Sequence, residues 1–182
     1  HYCGHHIPLP SACPSCGDTN LQVKGFGTEK IEEELAIYLP KAKIARMDLD
    51  TTRAKQAYHQ IISAFEDKEI DILVGTQMVT KGLDFENVGL VGVLNADNML
   101  NFPDFRAFER SYQLMSQVSG RAGRKGKRGQ VLIQTYNPNH QIIRQVIDHD
   151  YLGMYKNELI DRRNFHYPPF YRLIKLTLKH RQ

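Results

Sequence analysis

Residues 117–124 read QVSGRAGR and set two arginines, Arg121 and Arg124, three positions apart behind Gln117. A guanidinium is planar, permanently charged and carries its donors in a fixed fork, so a closely spaced pair is well suited to phosphate oxygens. Such groups can neutralise charge that builds up on a phosphoryl group during its transfer. Their plainer alternative is a basic helix end, where the helix dipole alone favours arginine. Upstream, residues 75–91 read GTQMVTKGLDFENVGLV. There Gly82 permits a tight turn, and Asp84 offers acceptors to a ribose hydroxyl or a backbone N–H. The hydroxyls of Thr76 and Thr80, with backbone N–H groups beside them, suit the phosphate of a nucleic-acid strand. Lys81 is either a further phosphate contact or a solvent-facing cation. The alternative for this block is an Asx-turn at a sheet edge. Together the two blocks point to an ATP-driven nucleic-acid machine.

Half of the required chemistry is missing from the chain. No GxxxxGK[ST] loop is present, and no acidic strand follows one to hold magnesium. The Gly25-Phe26-Gly27-Thr28 run is too weak to replace such a loop. The arginines therefore read as a half-site, reaching the γ-phosphate of a nucleotide held by another domain.

A second chemistry belongs to the cysteines. All three, Cys3, Cys13 and Cys16, fall in the first sixteen residues, so they form no disulfide framework for the core. Cys13-Pro-Ser-Cys16-Gly is a knuckle that turns two thiolates toward one tetrahedral metal, which points to zinc. Cys3-Gly reads as the second half of another knuckle, whose first cysteine would precede His1. A fourth ligand would come from His1, His5, His6 or beyond the chain. Asp48 and Asp50, one residue apart, invite a metal reading on a strand. On the expected turn, one caps the following helix and the other braces the loop.

Composition bounds these readings. The 182 residues are 41% apolar and carry 24 basic against 20 acidic side chains, a net charge of +4. That balance suits a polyanion partner without requiring one. No apolar run approaches the ~20 residues needed to span a bilayer, and no positive-then-apolar leader opens the chain, so the cytoplasm is the expected compartment. Arg121, Arg124, Lys125, Lys127 and Arg128 cluster without an intervening acid, as phosphate contacts can. Arg162, Arg163 and Arg172 read better as a solvated set.

The elements that must hold these residues alternate. A strand is expected near 21–24, then a helix from Thr28, whose hydroxyl can cap it, with Ile31, Leu35 and Leu39 as its apolar stripe and Pro40 as its stop. Strands follow at 42–47, 71–75 and 88–94, with a helix at 53–66. The near-continuous apolar character of 88–94 suits a sheet covered on both faces. A long helix over 105–122 runs into the arginines, a strand follows Gly129, and helices follow over 140–147 and 151–163. Phe105 and Phe108 fit its core face rather than a base-stacking role, and LIKLTL at 173–178 alternates as a strand. Strand–helix alternation of this kind predicts an α/β layered domain with a mostly parallel sheet, and ligands beyond the C-terminal strand ends.

These pieces resemble the bacterial primosomal replication-restart helicases, the PriA family of superfamily 2, over essentially the whole chain. HYCG followed by CPSCG is similar to the end of that family's cysteine-rich insertion. GTEKIEEEL and RMDLD resemble its second motor lobe, GTQMVTKGLDF helicase motif V and QVSGRAGR motif VI. DFRAFERSYQL from Asp104 is similar to the family's intervening helix, and HYPPF at 166–170 to the opening of its C-terminal domain. The resemblance implies a RecA-like lobe two at 23–150, the end of a zinc region at 1–22, and a linker helix with the start of the C-terminal domain at 151–182.

It also implies an ATP-dependent helicase that unwinds stalled forks in the 3'-to-5' direction and initiates primosome assembly. ATP, magnesium and zinc would be its cofactors. Single-stranded and forked DNA, single-stranded DNA-binding protein and primosome proteins would be its partners, with no membrane involved. By the same resemblance Arg121 and Arg124 face ATP, with Arg124 as the arginine finger, and Gln117 couples nucleotide to DNA. Gly82 and Asp84 belong to the nucleotide side, Thr76, Thr80 and Lys81 to the DNA side. Cys3 falls to one zinc, Cys13 and Cys16 to another. The isolated chain is expected to be inactive as an ATPase. A RecG-like or transcription-coupled-repair translocase would share GLD and GRAGR without needing the cysteines or HYPPF. A non-catalytic zinc-bearing DNA-binding module would bind DNA independently of nucleotide.

Overall fold

Short apolar tetrapeptides separated by amphipathic stretches form strand–helix–strand units. The computed structural model describes residues 10–19, 27–53, 55–80, 88–120, 129–174 and 176–178. Helix α1 (Thr28–Tyr38) precedes strand β1 (Ile44–Met47), α2 (Lys55–Glu66) and strand β2 (Ile72–Gly75). A 3-10 turn (Gln77–Thr80) follows. Then come β3 (Leu90–Val93), α3 (Ala96–Leu100), α4 (Ala107–Ser119), β4 (Gln130–Ile133), α5 (Gln141–Ile147) and α6 (Tyr151–Asn164). The expected strand near 21–24 lies outside the described residues.

Both strand pairs are parallel, as helical crossovers require. Ile44 faces Ile72 and Met47 faces Gly75 in the first pair; Leu90 faces Gln130 and Val93 faces Ile133 in the second. Among the described residues the ladders form two two-stranded sheets. Each has its own core. Met47 and Ile62 are buried together under Tyr58, Ile61, Phe65, Leu73 and Val79. The larger core gathers Ala96, Leu100, Tyr112, Met115, Ile142, Ile143, Val146 and Met154.

Helical spacing explains this second core. Ala107, Ser111, Tyr112 and Met115 recur on one face of α4, and Ile142, Ile143 and Val146 on one face of α5. The Asp150 carboxylate caps α6 by accepting the Gly153 N–H at 2.8 Å, and His140 Nδ1 caps α5 by accepting that of Ile142 at 3.2 Å.

Several expectations change. Thr28 does not cap α1: Gly27 occupies the cap position, and the Thr28 hydroxyl donates instead to Asp48 Oδ2 at 2.6 Å. The five-residue helix α3 was not expected; its Asp97 carboxylate accepts the Thr135 hydroxyl and the Tyr136 N–H at 2.9 and 3.0 Å. The second sheet is not covered on both faces, since Leu90 and Leu132 remain 56% and 61% exposed. Alternation along β3 and β4 turns Val91, Val93, Val131 and Ile133 inward and these leucines outward. Phe108 is not a core residue either: it is partly exposed, its ring edge-on to His140 at 5.2 Å. Finally, the described residues of 173–178 form no strand, and their apolar side chains are exposed. An alternating pattern needs a partner edge before it becomes a strand.

Candidate functional site

The segments that carry the two sequence blocks start from elements in contact. Strand β2 ends at Gly75, Thr76 follows it, and the 3-10 turn Gln77–Thr80 then leads into residue 81. Helix α4 packs against that turn. Its C-terminal end carries Gln117 and closes at Gly120, one residue before Arg121. The turn that leads into residue 81 and the helix that leads into residue 121 are therefore neighbours.

Gly75 makes the first approach possible. A Cβ there would stand 2.0 Å from Val79 Cγ2 and 2.7 Å from the Met47 carbonyl oxygen. Only a residue without a side chain lets the turn fold back over β2 while the β1 backbone runs alongside. Thr76 is exposed at this bend, and its carbonyl accepts the Val79 N–H at 3.1 Å. Gln117 is exposed on α4. Thr80 closes the 3-10 turn. Lys81, Gly82, Asp84, Arg121 and Arg124 lie outside the described residues, as does Cys3.

Beside this bend, at the C-terminal end of β1, Asp48 organises the next loop. Its Oδ1 accepts the N–H groups of Asp50 and Thr51 at 3.0 and 2.9 Å, its Oδ2 accepts Thr28, and Arg46 Nε stands 3.4 Å away. Burial pushes this carboxyl up, but the hydrogen bonds from Thr28 and Thr51 and the charge of Arg46 together hold it below its ordinary value. Asp48 thus braces the loop, and Asp50 pairs with the Arg53 guanidinium at 2.9 Å. Both carboxylates are engaged by groups of the loop and its flanks.

The Cys13–Cys16 segment has knuckle geometry. The Gly17 N–H donates to the Cys13 carbonyl at 2.9 Å, and Gly17 takes a positive φ of 73° that favours glycine. The Cys13 sulfur accepts from the Cys16 and Ser15 backbone and from the Cys16 side chain, which lowers its pKa and favours the thiolate. Two sulfur donors on one turn fit half of a tetrahedral zinc site. Among the described residues no third His, Cys, Asp or Glu joins them.

A cluster at the other end of α4 overturns the solvated reading of Arg162, whose side chain is largely buried and paired with acids from two helices. Glu109 accepts both Arg106 Nε and Arg106 Nη2, at 3.0 and 3.1 Å, and also Arg162 Nη2 at 2.6 Å from α6. Arg162 Nη2 reaches Glu158 at 3.2 Å as well. The hydrogen bond from Arg106, with that from Arg162 and both charges, outweighs burial and takes the Glu109 carboxyl down from 4.5 to about 2. Burial pushes Glu158 up despite Arg162. The short-range parts of this cluster, Arg106 with Glu109 and Glu158 with Arg162, were legible as helical spacings. Their meeting across 53 residues was not.

Comparison with known proteins now becomes informative. Residues 22–126 match the family described as helicase conserved C-terminal domain. The chain belongs to this family. Its parallel strands and flanking helices are those of an α/β, RecA-like helicase lobe. Over all 182 residues the chain is 50% identical to the replication restart protein PriA of Bacillus subtilis (strain 168), covering 23% of that protein. It is 47% identical to the replication restart protein PriA of a Synechocystis species over 97% of this chain and 21% of that relative. The corresponding protein of Borreliella burgdorferi is 40% identical over 98% of this chain and 27% of its own length. The chain thus spans about a quarter of the length of these curated relatives. The family match covers both sequence blocks, and β4, which lies past its end, pairs with β3 inside it. Among the described residues no helix is long and apolar enough to cross a membrane.

Proposed function

We propose that this chain is the second motor lobe of an ATP-dependent, 3'-to-5' DNA helicase of the replication-restart type. The observation that carries the reading is the packing of α4, the helix that leads toward residues 121–124, on the 3-10 turn that leads toward residues 81–84. A motor lobe needs that convergence, because nucleotide state and DNA grip must be read by neighbouring segments. Similarity to proteins named replication restart protein PriA supports the same reading.

In this proposal Arg121 and Arg124 face the γ-phosphate of ATP held by a separate lobe, with Arg124 the group that neutralises transition-state charge. Magnesium ligands belong to that other lobe; magnesium-bound ATP would supply the phosphoryl group and part of its charge neutralisation. Gly82 and Asp84 border the nucleotide, while Gln117 links it to the DNA side. Thr76, Thr80 and Lys81 hold strand phosphates, which makes the grip indifferent to base sequence and sensitive to salt. Cys13 and Cys16 would hold one zinc and Cys3 another, each completed by further ligands, in a region ending near residue 22. The lobe runs over 23–150, and residues 151–182 open the following domain. Fork DNA, single-stranded DNA-binding protein and primosome proteins are the partners of the whole machine, and the cytoplasm is its compartment.

ATP turnover by the full-length protein, with and without single-stranded DNA, tests the assignment. Arg124→Ala is expected to lower DNA-stimulated turnover by about a thousandfold, the range over which arginine fingers act. Stimulated turnover that survives in Arg124→Ala at the wild-type rate would refute it.

A further inference from the structure

We infer that Arg162 is a positioning residue for the arginine pair: through Glu109 it fixes α4, the helix that runs into residues 117–124, to α6, the helix that follows the lobe. The inference rests on the assignment of Arg121 and Arg124 proposed above.

The geometry is specific. One Arg162 nitrogen, Nη2, donates to Glu109 Oε2 at 2.6 Å and to Glu158 Oε2 at 3.2 Å. Glu109 is simultaneously held by the Arg106 fork and by Gln113 Nε2 at 3.2 Å, so its carboxylate cannot swing without releasing several donors. The Arg162 guanidinium also lies over the Phe105 ring, 5.5 Å from its centre, and that ring stacks on Tyr167 at 5.0 Å. Solvent reaches only 16% of the Arg162 side chain and 20% of that of Glu109.

A buried ion cluster is a poor choice for stability alone, since well-packed apolar side chains often serve as well or better. Burial pushes Glu158 toward its protonated form, which an apolar residue would avoid. What such a cluster supplies is direction: one Arg162 nitrogen shared by Glu158 of α6 and Glu109 of α4, with Glu109 held in place by the Arg106 fork, ties the two helices at one point. The buried face of α4, Ser111, Tyr112 and Met115, fixes which side of the helix faces the core. Arg162 fixes its N-terminal half. From Glu109 to Gln117 the helix is unbroken, ~12 Å at its usual rise. A displacement at the clamp is therefore delivered to the end that leads into Arg121. Arg162 does not touch the nucleotide in this scheme; it acts through α4.

Because a misplacement of ~1 Å lowers rate by about a hundredfold in sites that act by geometry, the effect falls on the chemical step. In the full-length protein saturated with single-stranded DNA, Arg162→Ala is expected to lower kcat at least ~10-fold with KM for ATP within ~2-fold, as loss of a transition-state interaction requires. Arg162→Lys keeps the charge near Glu109 without bridging both carboxylates and is expected to recover part of kcat. If Arg162→Ala does not fold, the kcat of Arg162→Lys decides alone, and a value below half that of wild type supports the clamp. Arg124→Ala is measured beside them. If Arg124→Ala is inactive while a folded Arg162→Ala keeps wild-type kcat, or changes only KM, the positioning role is overturned and the finger stands. If Arg124→Ala turns over like wild type, the underlying assignment fails and the clamp falls with it.

Discussion

Replacing Glu109 by glutamine removes one negative charge while preserving shape, and the structure sets the size of the response. The Arg106 fork and Arg162 take this carboxyl from 4.5 to about 2. At ~1.4 kcal/mol for each tenfold change in acidity, that corresponds to roughly 3 kcal/mol of stability at neutral pH, an upper limit. One fifth of the side chain meets solvent, which screens the pair, so about 2 kcal/mol is expected for Glu109→Gln. The sign follows from linkage. A carboxyl whose folded-state pKa is depressed stabilises the fold above its unfolded pKa, and that contribution is lost as pH falls toward the folded value of about 2. The gap between wild type and variant should therefore shrink to less than half by about pH 3 and nearly vanish by about pH 2. Denaturant unfolding of both chains across that range measures it, and subtracting the two curves cancels carboxylates unaffected by the change. A gap that stays the same size from neutral to acid would mean that Glu109 acts by packing or shape, and the charge argument would be wrong.

Two further outcomes follow from the same coordinates. Gly75→Ala places a methyl 2.7 Å from the Met47 carbonyl, a backbone atom fixed by the β1–β2 ladder, so the fold should lose about 1–3 kcal/mol; an unchanged denaturation midpoint would show that the 3-10 turn does not need this approach. Cys13→Ser or Cys16→Ser should each remove about one zinc equivalent from the full-length protein by elemental analysis, and an unchanged metal content would exclude the knuckle as a ligand pair.

The α/β alternation was legible because the periodicities are strong: Ile61, Ile62 and Phe65 sit on one helical face, and the ILV run at 72–74 reads as a buried strand. Helix ends were legible where a breaker stands, as Pro40 does after α1. Other features depend on tertiary context. Thr28 looked like a cap because its neighbours fit the pattern, but a buried carboxylate twenty residues away offers its hydroxyl a charged acceptor. Helix α3 is only five residues long and is pinned by Asp97 to residues beyond β4, so no local period marks it. The two sequence blocks could be matched to the helicase C-terminal domain, and the Cys13–Cys16 turn recognised, because both are patterns of close spacing along the chain. The Glu109–Arg162 bridge could not, because only the fold brings its halves together.

Helix α4 is the element on which these strands of argument meet. It packs against the 3-10 turn beyond β2, against β3 and α3, and against α5 and α6. The smaller core, under β1 and β2, and the larger one, under α4 and α5, are therefore bridged by a helix whose own residues Tyr112 and Met115 belong to the larger. In the role proposed above, a lobe that moves as a body needs its nucleotide-facing and DNA-facing segments held in fixed relation, and one helix that touches the turn after β2 and leads into residue 121 suits that need. A core substitution such as Met115→Ala, at a fully buried position, should consequently disturb both segments at once rather than loosen only one.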